Sequence, residues 1–204
     1  MRRLVLASDN PGKLREFRQM LAPLGIEVVP QSELGIAEAN EPHTTFIENA
    51  LAKARHASRL TGLPAFADDS GICVVALAGE PGVRSARYAE GRAGREGQDR
   101  RNNEKLVAAL KGGKDRRAHY TCVVVLVRHA GDPEPLIAEG RWQGEIIAQQ
   151  RGTGGFGYDP HFFLPGLGRT AAELMPDEKN AVSHRGQAMQ RMVERLRYAE
   201  YLSS

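Results

Sequence analysis

The chain has 204 residues, enough for one large domain or two closely joined lobes, and its 41% hydrophobic content suffices to bury a core. The apolar run of the opening "MRRLVLASDN" stops at Ala7, short of a signal-peptide core, and no later run approaches membrane-spanning length, so a soluble cytoplasmic protein with no membrane partner is expected. The net charge of +3 is uneven, with eleven Lys/Arg against five Asp/Glu between Arg84 and Arg117; apart from Tyr88 no aromatic side chain interleaves with the arginines as a stacking platform needs, so a solvated segment is expected rather than a nucleic-acid interface.

In chain order, Arg3 to Ala7 reads as a short buried strand, "SDNPGK" as a polar turn, and Leu14, Phe17, Leu21 and Leu24 as the apolar face of a helix. Ile26 to Val29 is a second strand, followed by the polar loop "ELGIAEANEPHT". Thr45 and Glu48 form a capping-box pattern, and a helix with a wide apolar face then runs to about Thr61-Gly62. Pro64 to Leu77 holds "FADDSGICV" between two extended segments. A third helix is expected from about Asp99 to Leu110, a central strand at "HYTCVVVLVRH", a hairpin turning near Gln143-Gly144, and a last helix from near Ser183. Alternating helices and strands with a late hairpin imply an α/β fold with a mixed sheet. Cys73 and Cys122 each lie in an apolar run, as two buried thiols rather than a disulfide, and cannot build a metal cluster.

Five constellations carry possible chemistry. In "SDNPGK", Ser8, Asn10, Lys13 and the N–H groups of a helix start suit a phosphate, although the same residues also shape an ordinary strand-to-helix turn. In "DDSG", adjacent side chains of an extended strand point to opposite faces, so Asp68 and Asp69 reach one cation only if the chain turns, which Gly71 permits. A hard cation such as Mg²⁺ takes carboxylate oxygens and brings substrate phosphates; the alternative is an Asx-type turn. Asn49, Lys53 and His56 share one face of the second helix, most simply a solvated one, with Lys53 able to reach a phosphate and Glu41 just upstream. "GTGGFGYDP" suggests backbone close to a flat ligand, with Phe156 or Tyr158 stacking and Asp159 accepting from its edge, or else a plain glycine-rich loop. In "EKNAVSHRG", Ser183 caps the last helix and leaves His184 and Arg185 in its first turn, against the helix dipole unless they serve a ligand. Together these parts describe a nucleoside triphosphate site.

With "ASDNPGK", "TFIENALAKARHA", "ADDSG", "PGVRSARY", "GTGGFGYDP", "TAAEL" and "EKNAVSHRGQA" in this order over nearly its whole length, the chain resembles the inosine triphosphate pyrophosphatase family. The resemblance implies a homodimeric, Mg²⁺-dependent hydrolase that converts deaminated purine nucleoside triphosphates (ITP, dITP, XTP) to monophosphate and pyrophosphate. It implies an elongated mixed α/β fold, residues 1–204 as a single domain whose two lobes flank a substrate cleft. By motif, Asp69 would be the general base and a metal-site carboxylate, supported by Asp68 and Glu41. Ser8, Asp9 and Asn10 of the first turn, with Lys13, Lys53 and Ser70, would bind or position the triphosphate. Phe156 would stack on the base, Gly157, Tyr158 and Asp159 would form its pocket, and Lys179, His184 and Arg185 would contact the base or its surroundings. Two departures stand out: Asp9 occupies a position where the family commonly has glycine, and it would repel phosphate unless it points to solvent; and the segment from Glu90 to Gln98 matches the family poorly, so no role is carried onto it.

Overall fold

The computed structural model describes residues 2–91 and 94–198. Its strands are β1 (Arg2–Leu6), β2 (Ile26–Pro30), β3 (Ala65–Val74), β4 (Arg117–Val127), β5 (Leu136–Ile146), β6 (Phe162–Leu164) and β7 (Arg169–Thr170). The helices are α1 (Pro11–Leu21), α2 (Phe46–Thr61), α3 (Arg95–Ala109), α4 (Pro176–Val182) and α5 (His184–Tyr198). One seven-stranded sheet has the order β2-β1-β3-β4-β5-β6-β7. β1 pairs in parallel with β2 and β3, whereas β6 pairs antiparallel with β5 and β7, so the sheet is mixed as expected. Among the described residues, no helix is long and apolar enough to cross a membrane.

The chain forms two compact units, and β3, β4 and β5 each run from one into the other. In the first unit both sheet faces are buried. Leu4, Leu6 and Phe66 pack with Phe17 and Leu21 of α1 and Met189 and Met192 of α5; on the other face Val5, Ala65 and Ala67 pack with Ala50, Ala54 and Ala57 of α2. Burial on both faces is what the near-continuous apolar runs of β1 and β4 require. In the second unit Ile72, Val74, Ala118, Tyr120, Trp142 and Phe162 build one core under Leu106 of α3 and Leu110 at its C-cap. The intervening Cys73, His119 and Arg141 are half-buried or exposed, the period-two pattern of a sheet with one covered face.

The structure corrects three expectations. No hairpin turns at Gln143-Gly144: β5 continues through both residues to Ile146. The reason for glycine is proximity, since a Cβ on Gly144 would stand 2.6 Å from Phe162 Cζ and 2.6 Å from the Phe163 carbonyl oxygen of the neighbouring β6. The third helix begins at Arg95, four residues before Asp99, and a separate short helix, α4, precedes the last one. Finally, β3 does not turn at Gly71 but stays extended through all of "AFADDSGICV". Cys73 and Cys122 are free thiols.

Candidate active site

Because β3 is straight, alternation sends its two aspartates to opposite faces of the sheet. Asp68 shares the face of Phe66 and meets α1: Lys13 Nζ stands 2.7 Å from its Oδ1, and the Cys122 thiol donates to Oδ2 at 3.9 Å. Asp69 shares the face of Ala67 and meets α2. There the Asn49 amide donates to Oδ2 at 3.2 Å and Lys53 Nζ to Oδ1 at 3.4 Å, one helical turn apart. Lys53 also donates to Glu41 Oε1 at 2.6 Å, and Asn49 holds the preceding loop through both main-chain groups of His43. This face of α2 is therefore buried rather than solvated as first read, with Asn49 0% and Lys53 8% exposed. His56 lies outside the cluster and contacts the Ala37 carbonyl at 3.1 Å.

The electrostatics of this cluster suit proton transfer. Burial raises the Asp69 carboxyl; Lys53 pulls it down, Glu41's charge adds to burial, and the net shift is above the usual carboxylate range. Burial alone would lower Lys53, but the charges of Asp69, Asp68 and Glu41 outweigh it and hold the ammonium above its ordinary value. Glu41, Asp68 and Asp69 do not form the expected carboxylate triad, because Asp68 is on the far side of the strand. Among the described residues no three His, Cys, Asp or Glu side chains gather as a metal cluster. Asp69 and Glu41, which share the Lys53 ammonium, remain a pair of hard oxygen donors of the kind Mg²⁺ accepts when phosphates and water complete its shell.

At the first turn, Asn10 is the N-cap of α1, its side chain accepting from the N–H groups of Gly12 and Lys13. Ser8 Oγ in turn accepts from the Asn10 N–H at 3.3 Å. Asp9 points away from α1: its carboxylate accepts from the Ser32 N–H at 3.2 Å and from the buried Gln31 amide at 3.4 Å. Asp9 thus anchors the segment that follows β2.

The second unit holds the glycine-rich loop. Phe156 is 38% exposed, with Lys179 Nζ 4.9 Å and Arg185 Cζ 5.8 Å from its ring centroid. Asp159 fixes the loop by accepting from the Phe156 N–H at 2.8 Å and from Lys179 Nζ at 2.5 Å. Gly155 leaves room for that carboxylate, since a Cβ there would lie 2.0 Å from Asp159 Oδ2. Gly157 is bound through its main chain to Asp99 and Asn103 of α3. Arg185, only 4% exposed, donates to Ser70 Oγ at 3.2 Å, and the ring of buried His184 lies nearly parallel to Tyr120, 4.6 Å between centroids. Ser183 caps α5 as expected, accepting from the Gly186 N–H.

Tyr158 is a correction. It is buried in the apolar core and its hydroxyl donates to the Ser85 carbonyl at 2.8 Å, so it supports the loop and offers nothing to a ligand. Sequence reasoning missed Ser85, and it missed Asp99, Asn102 and Asn103, whose signal was a polar i, i+3, i+4 stripe inside a charge-rich stretch. Much of that stretch is internally paired: Arg84 with Glu80, Arg117 with Asp115, and Lys105 with the Tyr88 ring and carbonyl.

Comparison with known proteins agrees with the motif order. A dITP/XTP pyrophosphatase of Ralstonia nicotianae is 68% identical over 200 residues, covering 98% of this chain and 99% of that protein. A dITP/XTP pyrophosphatase of Nitrosomonas europaea is 65% identical over 196 residues, covering 96% and 95%. The solved structure of a HAM1 protein from Coxiella burnetii superimposes with a TM-score of 0.91 at 47% identity, covering 98% of this chain and 100% of that one. With the Ham1 family profile matching residues 4–195, the chain belongs to the Ham1 family.

Proposed function

We propose that the chain is a nucleoside triphosphate pyrophosphohydrolase that converts dITP, XTP and ITP to the monophosphate and pyrophosphate with Mg²⁺. Relatives at 68% and 65% identity named dITP/XTP pyrophosphatases support the substrate class. The observation that carries the chemistry is the Asp69 cluster: a carboxylate raised by burial, oriented by Asn49 and flanked by Lys53. Asp69 takes the proton of the water that attacks the α-phosphorus, its carboxylate held for that task by Asn49 and Lys53. Lys53 and Lys13 offer positive charge to the phosphate oxygens and the leaving pyrophosphate. Asp69 and Glu41 would hold the Mg²⁺, which when bound spreads charge from the phosphate oxygens.

Purine choice falls to the second unit. Phe156 offers a face for stacking, and Lys179 and Arg185 beside it are donors only. Donors match the 6-oxo group of hypoxanthine and both oxo groups of xanthine. They oppose the 6-amino group of adenine and the 2-amino group of guanine, and an unmatched polar group in such a site costs about 10²-fold or more in kcat/KM. A homodimer, which light scattering reads directly, belongs to the same proposal. The test is a pyrophosphate-release screen with Mg²⁺ over XTP, dITP, ITP, GTP and ATP. Faster turnover of the first three is expected; equal rates with ATP, or release of orthophosphate alone, would overturn the proposal.

A further inference from the structure

The basic stretch between Arg84 and Arg117 contains α3, and one side of that helix is polar yet buried: Asn102 is 2% and Asn103 8% exposed. Buried amides are retained where their hydrogen bonds are made, and these bonds go to segments around the purine loop. Asn103 Nδ2 donates to the Gly157 carbonyl at 2.8 Å and to the Asp99 carbonyl at 2.9 Å. Asp99 Oδ2 accepts from the Gly157 N–H at 2.9 Å. Both main-chain polar groups of the residue after Phe156 therefore end on a single turn of α3. One turn face further, Asn102 donates to the carbonyls of Ser85 and Ala86 and accepts from the Ala89 N–H, while Ser85 also receives the Tyr158 hydroxyl. Gly157 and Tyr158 are thus tied at three points to α3 and to the turn that α3 holds.

We infer that Asp99 and Asn103 are positioning residues for purine recognition: by gripping Gly157 through its N–H and its carbonyl they fix where Phe156 presents its ring. The inference rests on the purine role of Phe156 proposed above. A loop with glycine at 152, 154, 155 and 157 has little stiffness of its own, so without the grip the platform must be ordered anew at each binding event. That cost falls equally on bound substrate and transition state, so it enters KM and leaves kcat.

The experiment compares the purified wild type with Asp99→Ala, Asp99→Asn and Asn103→Ala. It measures kcat and KM for XTP, and equilibrium affinities for xanthosine, which has the base and ribose but no phosphate, and inorganic tripolyphosphate, which has no base. The two alanine variants should raise KM on the order of 10-fold with kcat nearly constant, weaken xanthosine, and leave tripolyphosphate unchanged. Asp99→Asn, which keeps an oxygen acceptor for the Gly157 N–H, should show a smaller rise than Asp99→Ala. Unchanged KM, an equal loss of tripolyphosphate affinity, or equal damage in the two Asp99 variants would overturn the inference. Should Asn103→Ala fail to fold, the Asp99 pair decides alone. A wild type inert toward XTP would overturn the proposed activity instead, and xanthosine against tripolyphosphate binding would still decide the grip.

Discussion

Asp68 and Asp69 are neighbours in the chain and face opposite sides of β3: the Lys13 ammonium stands 2.7 Å from Asp68, and the Lys53 ammonium 3.4 Å from Asp69. Each carboxylate has its own cation on its own face, which is why the strand needs no turn to bury two negative charges. The pair looks like one acidic motif and divides into two functions, Asp68 closing the α1 side of the sheet and Asp69 standing beside Glu41.

The division predicts opposite phenotypes. Asp69→Asn should lower kcat about 10²-fold or more, as loss of a general base does, with little change in thermal stability because Lys53 keeps Glu41. Asp68→Asn strips the charge from a pair whose side chains are 0% and 14% exposed, leaving a largely buried ammonium short of its partner. Breaking such a pair costs about 3 kcal/mol or more, which for a chain of this size lowers Tm by about 6–12 °C. Calorimetry and pyrophosphate release on the two variants check this; equal loss of activity with equal Tm would refute it.

Phe156 should behave as a binding residue with no structural duty, since its ring is substantially exposed. Base–aromatic stacking is worth about 1–3 kcal/mol, so Phe156→Ala should raise KM for XTP by about 5- to 150-fold. Tm should stay within about 2 °C, a surface substitution away from the core. A KM within twofold of the wild type would remove the ring from the purine site.

Much of this was legible in the sequence because it rests on local rules. The capping residue Thr45 accepts from the Glu48 N–H, Ser183 from Gly186, apolar periodicity located α1 and α2, and continuous apolar runs located β1 and β4. What stayed hidden depends on partners distant in the chain. Gly144 and Gly71 read as turn residues, yet both lie inside strands. Asp9 read as a phosphate-turn residue and is held by Gln31 and Ser32 of the loop after β2; Tyr158 read as a ligand contact and is held by Ser85, 73 residues away. Motif order located the functional segments, but only tertiary contacts separate a residue that meets substrate from one that holds its neighbour.

Gly144 tests that distinction directly. If proximity to β6 is what demands glycine, Gly144→Ala must push a Cβ into the Phe162 ring and the Phe163 carbonyl. The expected cost is about 1–3 kcal/mol, as for other overpacked sites, or a Tm lower by about 2–12 °C. A hairpin at Gln143-Gly144 would instead tolerate Gln143→Val poorly, whereas an exposed strand position accepts this β-branched residue within about 0.5 kcal/mol. Thermal melts of the two variants separate these outcomes.

Acid stability should trace to Asp132, at the turn between β4 and β5. Its buried carboxylate accepts from the Arg128 guanidinium, from the Arg128 N–H at 2.9 Å and from the Glu134 N–H at 3.0 Å, while its carbonyl accepts from Arg55 of α2. The Arg128 side-chain bond, against an opposing effect of burial and with help from the main-chain bonds, holds this carboxyl well below the usual range. A depressed pKa means that the unfolded chain binds the proton first as pH falls. The stabilisation is therefore complete above the unfolded value of about 4 and is lost progressively below it. Asp132→Asn should cost about 1–3 kcal/mol at neutral pH and flatten the decline in Tm between about pH 5 and pH 3 relative to the wild type. Parallel Tm-against-pH curves for the two proteins would show that the acid sensitivity resides elsewhere.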